Sequence, residues 1–353
     1  MSPFLIRIKQ ARRQTLRRLE CGNQGDKQAE SDHKIYLTGW IAHTRHTNYT
    51  SRCSVRHAWQ GKIRPPNMTV EKTRQKVQQQ KELPTLTPSM QRILVACEDQ
   101  GISQTALAEA LTESPTITAR ILGLANSAFF GQRSGVHTLP HAISVLGLVT
   151  VRSIAAGLTL SGRLDTQNCP AFRAEYYWLS AVLSATLAQR IAPLVAAGMR
   201  PPQDTVYLAG LLHNLGLLAL VHLHPAEMDR ALTAYAADPQ RTLGPHIRDV
   251  LETDHYQAGV WLGSKWHFPR SMLLVMEHRY DPGYRGDHWP LVVLQGLAAR
   301  WANCIIDGKA CFYAEPEAMQ ALGLTEPMIE IVWQEMSEQL DRIRSVAAAF
   351  SSV

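Results

Sequence analysis

The chain has 353 residues, of which 45% are hydrophobic and 19% charged, enough for one large domain or two smaller ones around a hydrophobic core. Its formal net charge of +6 is unevenly distributed, because residues 1–67 hold 13 Lys and Arg against 4 Asp and Glu, whereas the remaining residues hold 23 against 26. The slightly acidic body argues against a nucleic-acid-binding surface on the folded part.

The cysteines and the apolar runs favour a cytoplasmic protein. The six cysteines are scattered without a Cys-x-x-Cys pair, which predicts reduced thiols rather than a disulfide framework or a zinc site. The longest apolar run, residues 207–224, is interrupted by His213 and Asn214, and no run reaches the roughly 18–20 apolar residues of a membrane span. We therefore expect no membrane span.

Residues 1–67 differ from the rest of the chain in charge and in pattern. Basic pieces alternate with Cys, His, Trp and Gly, and no helical or alternating period continues beyond Phe4–Leu19. We interpret this segment as a basic extension that is either disordered or not part of the natural product.

From Met68 onward the pattern is helical. Thr87 is a candidate cap with Pro88 at the first helical position, Ser103 is a candidate cap for 103–112, and the Ser-Pro pair before "TITARILGLA" starts a helix over 115–126. Two more helices are predicted by "TLPHAISVLG" and "LVTVRSIAAGLTLSG".

The second half of the chain continues in the same way. "YYWLSAVLSATLAQRIA" repeats apolar residues at four-residue spacing, the apolar run 207–224 predicts one buried helix, and "TEPMIEIVWQEMSEQLDRIRSVAAAF" predicts one long amphipathic last helix. Because no run of alternating strands is present, the sequence predicts an all-α fold, a bundle of short capped helices.

The order of the motifs resembles the HDOD family, the HD-related output domains of bacterial signalling. The resemblance rests on "LPTLTPSMQRIL", "ARILGLANSAFFG", "AISVLGLVTVRSIA", "YLAGLLHNLGLLAL" and "TDHYQAGVWLGSKWHFPRSMLLVMEHRYDP", and it covers about residues 83–281. It implies an amino-terminal helical part over 68–165, a degenerate HD-like bundle over 166–281, and a carboxyl-terminal helical extension over 282–353. The family is related to the HD and HD-GYP phosphohydrolases and is regarded as a non-catalytic regulatory or interaction module.

The metal ligands that the related HD hydrolases use are mostly replaced in this chain. Those enzymes hold a divalent cation with a His, a His-Asp pair and a later Asp. At the corresponding positions this chain has Leu179, His213 with Asn214, and Ala299. Since one imidazole does not retain Mg²⁺ or Mn²⁺ against water, we expect no metal, no cofactor and no catalytic residue, with His213 as a hydrogen-bonded core histidine.

Other histidines lie where HD-GYP enzymes keep metal ligands. These are His255 in "TDHYQAG" and His278 in "EHRYD", where Arg279 stands in place of a second histidine. His222 and His224 could chelate a metal only if both faced the same way. The alternative for all four is an ordinary histidine at the surface or at a helix end.

Asn214 adds a specific expectation about charge. Its leucine neighbours place it inside the bundle, where a carboxylate without a cation would pay a desolvation cost of several kcal/mol. An amide keeps the shape and removes the charge. We therefore expect Asn214→Asp to destabilise the fold at neutral pH and to do so less at acidic pH.

Two further features leave alternatives open. Helices 103–112 and 115–126 could form a helix-turn-helix, but the second carries only Arg120 as a cation, which favours packing over DNA recognition. Phe129 and Phe130 either anchor the core or mark an exposed docking surface.

Together these observations predict a cytoplasmic bacterial signal-transduction module that acts through a protein partner and binds no nucleic acid. The alternatives are a residual metal-dependent phosphohydrolase or phosphodiesterase, and a nucleotide-sensing module that uses the vestigial pocket of His213, Asn214, Leu179, His255 and His278.

Overall fold

The computed structural model describes residues 101–127, 135–161, 164–238, 241–309 and 315–351, with a few isolated positions between 73 and 99. Among the isolated positions, Pro88, Arg92, Ile93, Val95 and Ala96 are helical, which agrees with the predicted first helix. The expectations for residues 1–67 and for Phe129 and Phe130 lie outside the described residues.

The first two of the four amino-terminal helices described begin at the caps that the sequence indicated. Ser103 accepts a hydrogen bond from the Ala106 amide at 3.1 Å, and Ser114 accepts one from the Ile117 amide at 3.5 Å. These contacts satisfy amides that have no partner within the first turn. The helices are α1 (Gln104–Thr112), α2 (Pro115–Ala125), α3 (Leu139–Leu146) and α4 (Leu148–Ser161).

The middle of the chain is built on a long, mostly buried helix, α5 (Ala174–Ile191), which packs against the helices over 203–212 and 289–306 and against the last helix of the chain. Leu183, Leu187 and Ile191 are fully buried, as their four-residue spacing predicts. The others are α6 (Gln203–Leu212), α7 (Leu215–Leu223), α8 (Pro225–Ala237), α9 (Leu243–Leu251), α10 (His255–Lys265), α11 (Arg270–His278) and α12 (Trp289–Ile306).

The run 207–224, expected as one helix, is two helices that meet at His213 and Asn214. Asn214 has φ −112° and ψ 21°, so the backbone leaves the α-helical path there. The turn directs α7 onto α10, where Gly216 meets the backbone of His255 and Gly259. The stretch Thr205–Leu223 is long and apolar enough to cross a membrane by composition alone, but 83% of it is buried inside the fold.

The last amphipathic segment is also broken. The structure has α13 (Pro316–Ala321), α14 (Glu326–Glu338) and α15 (Leu340–Ser351), with Gln339 at the break. The single long helix predicted from the sequence is therefore wrong. The break lets α15 pack on α5, where Phe350 stacks on Trp178 with ring centroids 4.8 Å apart.

The all-α prediction is confirmed for the described residues, which contain helices and no strand. Their buried apolar side chains form one continuous core. One expectation about the cysteines is wrong: Cys304 is disulfide-bonded, whereas Cys169 is a buried free thiol. The division at 165/166 and 281/282 remains a prediction.

Candidate functional site, a buried cluster around Arg279

The turn between α6 and α7 faces the start of α10 and the end of α11. This arrangement brings His213, Asn214, His255 and Arg279 together, although Arg279 is 65 residues from Asn214 in sequence. The site combines two helix ends, a neutral amide, two imidazoles and one guanidinium.

The guanidinium of Arg279 is the centre of the cluster. Its side chain is 1% exposed, and Nη1 donates to the Met276 carbonyl at 2.8 Å while Nη2 donates to Asn214 Oδ1 at 3.1 Å. Because Arg279 follows the last residue of α11, it also lies at the negative end of that helix. The position therefore favours a cation.

Aromatic rings provide the rest of the environment of the guanidinium. Its central carbon lies 4.8 Å from the ring centre of Tyr256 and 4.9 Å from that of Tyr280, which are cation–π distances. Among the ion pairs of the described residues, none involves Arg279. The buried charge is thus held by neutral acceptors and ring faces.

His213 is a neutral, hydrogen-bonded histidine. It is 5% exposed, and its Nδ1 lies 2.6 Å from the Gly210 carbonyl, so Nδ1 carries the proton and donates it. Burial and the charge of Arg279 lower the pKa of His213 to about 3. The imidazole therefore stays neutral at physiological pH.

His255 is the second buried imidazole, at the first position of α10. It is 4% exposed, and burial lowers its pKa well below the ordinary value, with Arg279 and His213 acting in the same direction. Its Nδ1 has no hydrogen-bond partner in the described part of the chain. Its ring lies 3.9 Å from that of Tyr256, which also contacts Arg279.

Close helix packing holds this cluster in place. A Cβ atom at Gly216 would lie 2.0 Å from the His255 carbonyl oxygen, and one at Gly296 would lie 2.0 Å from the Arg279 carbonyl oxygen. Only glycine allows the backbones to approach so closely. The contacts place α7 against α10 and α11 against α12, and so set the positions of His255 and Arg279.

The other residues that the sequence singled out have different surroundings. Leu179 and Ala299 are in the apolar interior, 5% and 1% exposed. His278 is half-buried, stacks on Tyr284 at 4.5 Å and has Nε2 3.5 Å from a carboxylate oxygen of Glu277. The structure therefore brings His213, Asn214 and His255 together and leaves His278 outside the cluster.

A divalent metal does not fit this set of side chains. Among the described residues, no group of three or more His, Cys, Asp or Glu side chains is arranged to hold a metal ion. Asn214 Oδ1 already accepts from Arg279. His222 is engaged with the backbone of Asp165, whose amide donates to Nδ1 at 3.1 Å.

Comparison with known proteins places the chain in a family. The HDOD domain model matches residues 83–282, more than half of the chain. The chain belongs to the HDOD family. A relative by sequence is an uncharacterized protein from Treponema pallidum (strain Nichols), 22% identical over 244 residues, which are 67% of this chain and 45% of the relative.

Solved structures share the helical HDOD fold. A candidate signal-transduction protein from Marinobacter aquaeolei VT8 has a TM-score of 0.70 at 24% identity, with 80% of this chain and 65% of that chain covered. An HDOD protein from Geobacter sulfurreducens has a TM-score of 0.65 at 18% identity, covering 81% and 99%. A candidate phosphohydrolase from Shewanella amazonensis SB2B has a TM-score of 0.63 at 19% identity, covering 81% and 99%. The chain thus spans less than two thirds of the Treponema and Marinobacter proteins.

The role of Arg279 in this HDOD chain was not predicted from the sequence, where Arg279 was noted only as the residue that stands in place of a second histidine. The expectation that no cation faces residue 214 is wrong, because the guanidinium donates to the Asn214 amide. Asn214 is also only partly buried. The signal in the sequence was an arginine directly before a tyrosine at the end of a predicted helix, in "EHRYD".

Proposed function

We propose that this HDOD chain is a non-catalytic regulatory module that acts in the cytoplasm, in a bacterial signal-transduction pathway, by binding a protein partner. The observation that carries the proposal is the buried guanidinium of Arg279 beside Asn214. The HDOD match and the signal-transduction name of the Marinobacter protein support the pathway class.

The charge of Arg279 argues against a hydrolytic metal centre. Two unit charges about 4 Å apart interact with about 4 kcal/mol at an effective dielectric constant of roughly 20, and a divalent ion doubles the repulsion. The remaining donors are two neutral imidazoles and an amide that is already engaged. Such a set provides neither the negative charge that binds Mg²⁺ nor a general base beside it.

The metal content and the hydrolytic activity of the purified full chain test this proposal. We expect less than stoichiometric Mg, Mn or Fe after dialysis, by elemental analysis, and no hydrolysis of bis-p-nitrophenyl phosphate or a cyclic dinucleotide with added Mn²⁺. Stoichiometric metal together with hydrolysis that His213→Ala abolishes would establish the alternative, a residual phosphohydrolase or phosphodiesterase.

The partner is tested separately. Affinity capture with the full chain from extracts of the native host, followed by mass spectrometry, should recover a signalling protein that then binds the purified chain directly. If no captured protein binds directly, the interaction role is overturned.

A second candidate function is a nucleotide-sensing module. Two buried nitrogens at the cluster, Arg279 Nε and His255 Nδ1, have no partner among the described residues. Binding without cleavage would use such free hydrogen-bonding atoms, whereas hydrolysis would also need a metal or a general base.

A further inference from the structure

We propose that the buried cluster of Arg279 and His255 is a binding site for a small oxyanion of the phosphate class. The inference rests on the proposed non-catalytic function, because a metal centre would need the same side chains. It adds a ligand to the site and makes the HDOD module responsive to that ligand.

The first support is the unbalanced charge of Arg279. Its two neighbouring arginines each have a carboxylate: Arg248 pairs with Asp254 and Arg300 pairs with Glu315. Arg279 pairs with none in the described part of the chain, although it is more deeply buried than either. A buried cation without a counter-ion is costly, so an anion that reaches it gains binding energy from an interaction the protein leaves open.

The second support is a pair of hydrogen-bonding atoms without partners. Arg279 Nε and His255 Nδ1 are buried and unpaired among the described residues, on side chains that are 1% and 4% exposed. Both side chains lie against the Tyr256 ring, at 4.8 Å and 3.9 Å. Unpaired buried donors of this kind are rare in native proteins, because leaving a buried donor without a partner is costly. A phosphate group offers several acceptor oxygens, which would accept from Arg279 Nε and, with the imidazole proton on Nδ1, from His255.

The third support is access from solvent. Asn214 is partly buried, and Tyr280 is 43% exposed while its ring contacts the guanidinium. A ligand could therefore approach along Tyr280 and replace Asn214 as the partner of Nη2. The exposed ring would then contact whatever the phosphate group is attached to.

Calorimetry and thermal melts of the full chain with inorganic phosphate, at constant ionic strength against sodium chloride, test the site. We expect saturable heat and a saturable rise in melting temperature for the wild type. Arg279→Gln should weaken phosphate binding by about tenfold or more, since a charge-assisted hydrogen bond is lost. The control Arg270→Gln, on the same helix but 71% exposed and paired with Asp287, should bind like the wild type.

A second variant tests the site independently, should Arg279→Gln fail to fold. His255→Gln keeps a polar side chain but removes Nδ1, and we expect roughly threefold weaker binding with the fold retained. In the wild type, the ¹⁵N resonance of Arg279 Nε, assigned by its loss in Arg279→Lys, should shift with phosphate concentration.

A comparison of nucleotides with inorganic phosphate identifies the source of the phosphate group. Tighter binding of AMP or a cyclic dinucleotide than of phosphate would support a nucleotide ligand, and equal binding would support free phosphate. Unsaturable effects, or equal loss in Arg279→Gln and Arg270→Gln, would overturn the inference. That result would leave the proposed function intact, whereas metal-dependent hydrolysis would overturn the function itself.

Discussion

The two sides of the interior around His213 differ in how they accommodate polarity. On α5 and α12, Leu179 and Ala299 are buried apolar residues, 5% and 1% exposed. Toward α10 and α11, Asn214, His255 and Arg279 form a polar cluster centred on a charge. The interior is therefore apolar at Leu179 and Ala299 and polar around Arg279.

The difference shows that packing constrains the residues on the apolar side, whereas electrostatics also constrains those on the polar side. On the apolar side, a side chain needs the right volume. On the polar side, each group needs a partner as well as a position, because a buried polar atom left alone is costly. Variants on the polar side should therefore respond to pH and to ligands.

The largest expected effect comes from the backbone contact that positions His255. Gly216→Ala would place a Cβ 2.0 Å from the His255 carbonyl oxygen and 2.3 Å from the Gly259 amide nitrogen. Because backbone atoms cannot move aside, we expect a loss of about 3 kcal/mol or more in the free energy of unfolding. Urea denaturation followed by circular dichroism measures it.

Gly123→Ala is the matched control, since a Cβ there meets nothing within 4 Å. It should be neutral or stabilising by up to about 1 kcal/mol, because alanine favours the helix. Equal destabilisation by both variants would show that the loss does not arise from the α7–α10 contact.

The next effect is a loss of stability in acid, which the two buried imidazoles of the polar side cause. The pKa of His213 is lowered to about 3 and that of His255 also lies well below its ordinary value. In the unfolded chain the two imidazoles take up protons near pH 6.5, whereas in the folded chain they stay neutral. Their contribution to the free energy of unfolding is therefore fully present above that pH and decreases as the pH falls toward the pKa values of the folded state. Acidification from about pH 6.5 to 5.5 should cost roughly 2 kcal/mol for the two imidazoles together.

Denaturation curves across that pH range for the wild type, His213→Gln and His255→Gln check this expectation. Each substitution should remove about half of the pH-dependent loss. If neither variant changes the slope, the two imidazoles are not the groups that titrate.

A smaller effect is expected for Asn214→Asp, and its sign differs from the one expected from sequence. The new carboxylate would face the Arg279 guanidinium, which donates to this position at 3.1 Å. We expect a gain of about 1 kcal/mol at neutral pH, because the site is only partly buried.

The pH dependence of Asn214→Asp follows from the same contact. Arg279 would hold the pKa of the new carboxyl below its ordinary value, so the gain is present above the unfolded pKa and disappears as the pH falls through the folded one. Thermal melts at neutral and acidic pH, with and without Mn²⁺, measure it. Destabilisation at neutral pH, or rescue by Mn²⁺, would contradict the ion pair.

The smallest effect should come from the basic segment. A chain that begins at Met68 should melt at the same temperature as the full chain, because residues 1–67 lack a sustained apolar period. Differential scanning calorimetry of both chains compares them, and a drop of several degrees would show that the segment packs on the body.

Local chemistry explains which parts of the fold could be predicted. Ser103 and Ser114 cap their helices through amides three residues away, and the buried stripe of α5 follows from spacing alone. The two helix breaks could not be predicted in this way. Residues 207–224 are apolar and residues 325–350 are amphipathic throughout. Neither pattern marks the bends at Asn214 and Gln339, after which α7 packs on α10 and α15 packs on α5.

The sequence by itself determined the all-α class and the HDOD family, because these depend on residue types in a known order. Only the tertiary structure decided what occupies the polar side of the interior. Asn214 and Arg279 are 65 residues apart and meet through the packing of α7 on α10 and of α10 on α11. No local sequence pattern encodes this contact. Whether a charged side chain lies beside Asn214 depends on which helix ends the bundle brings together.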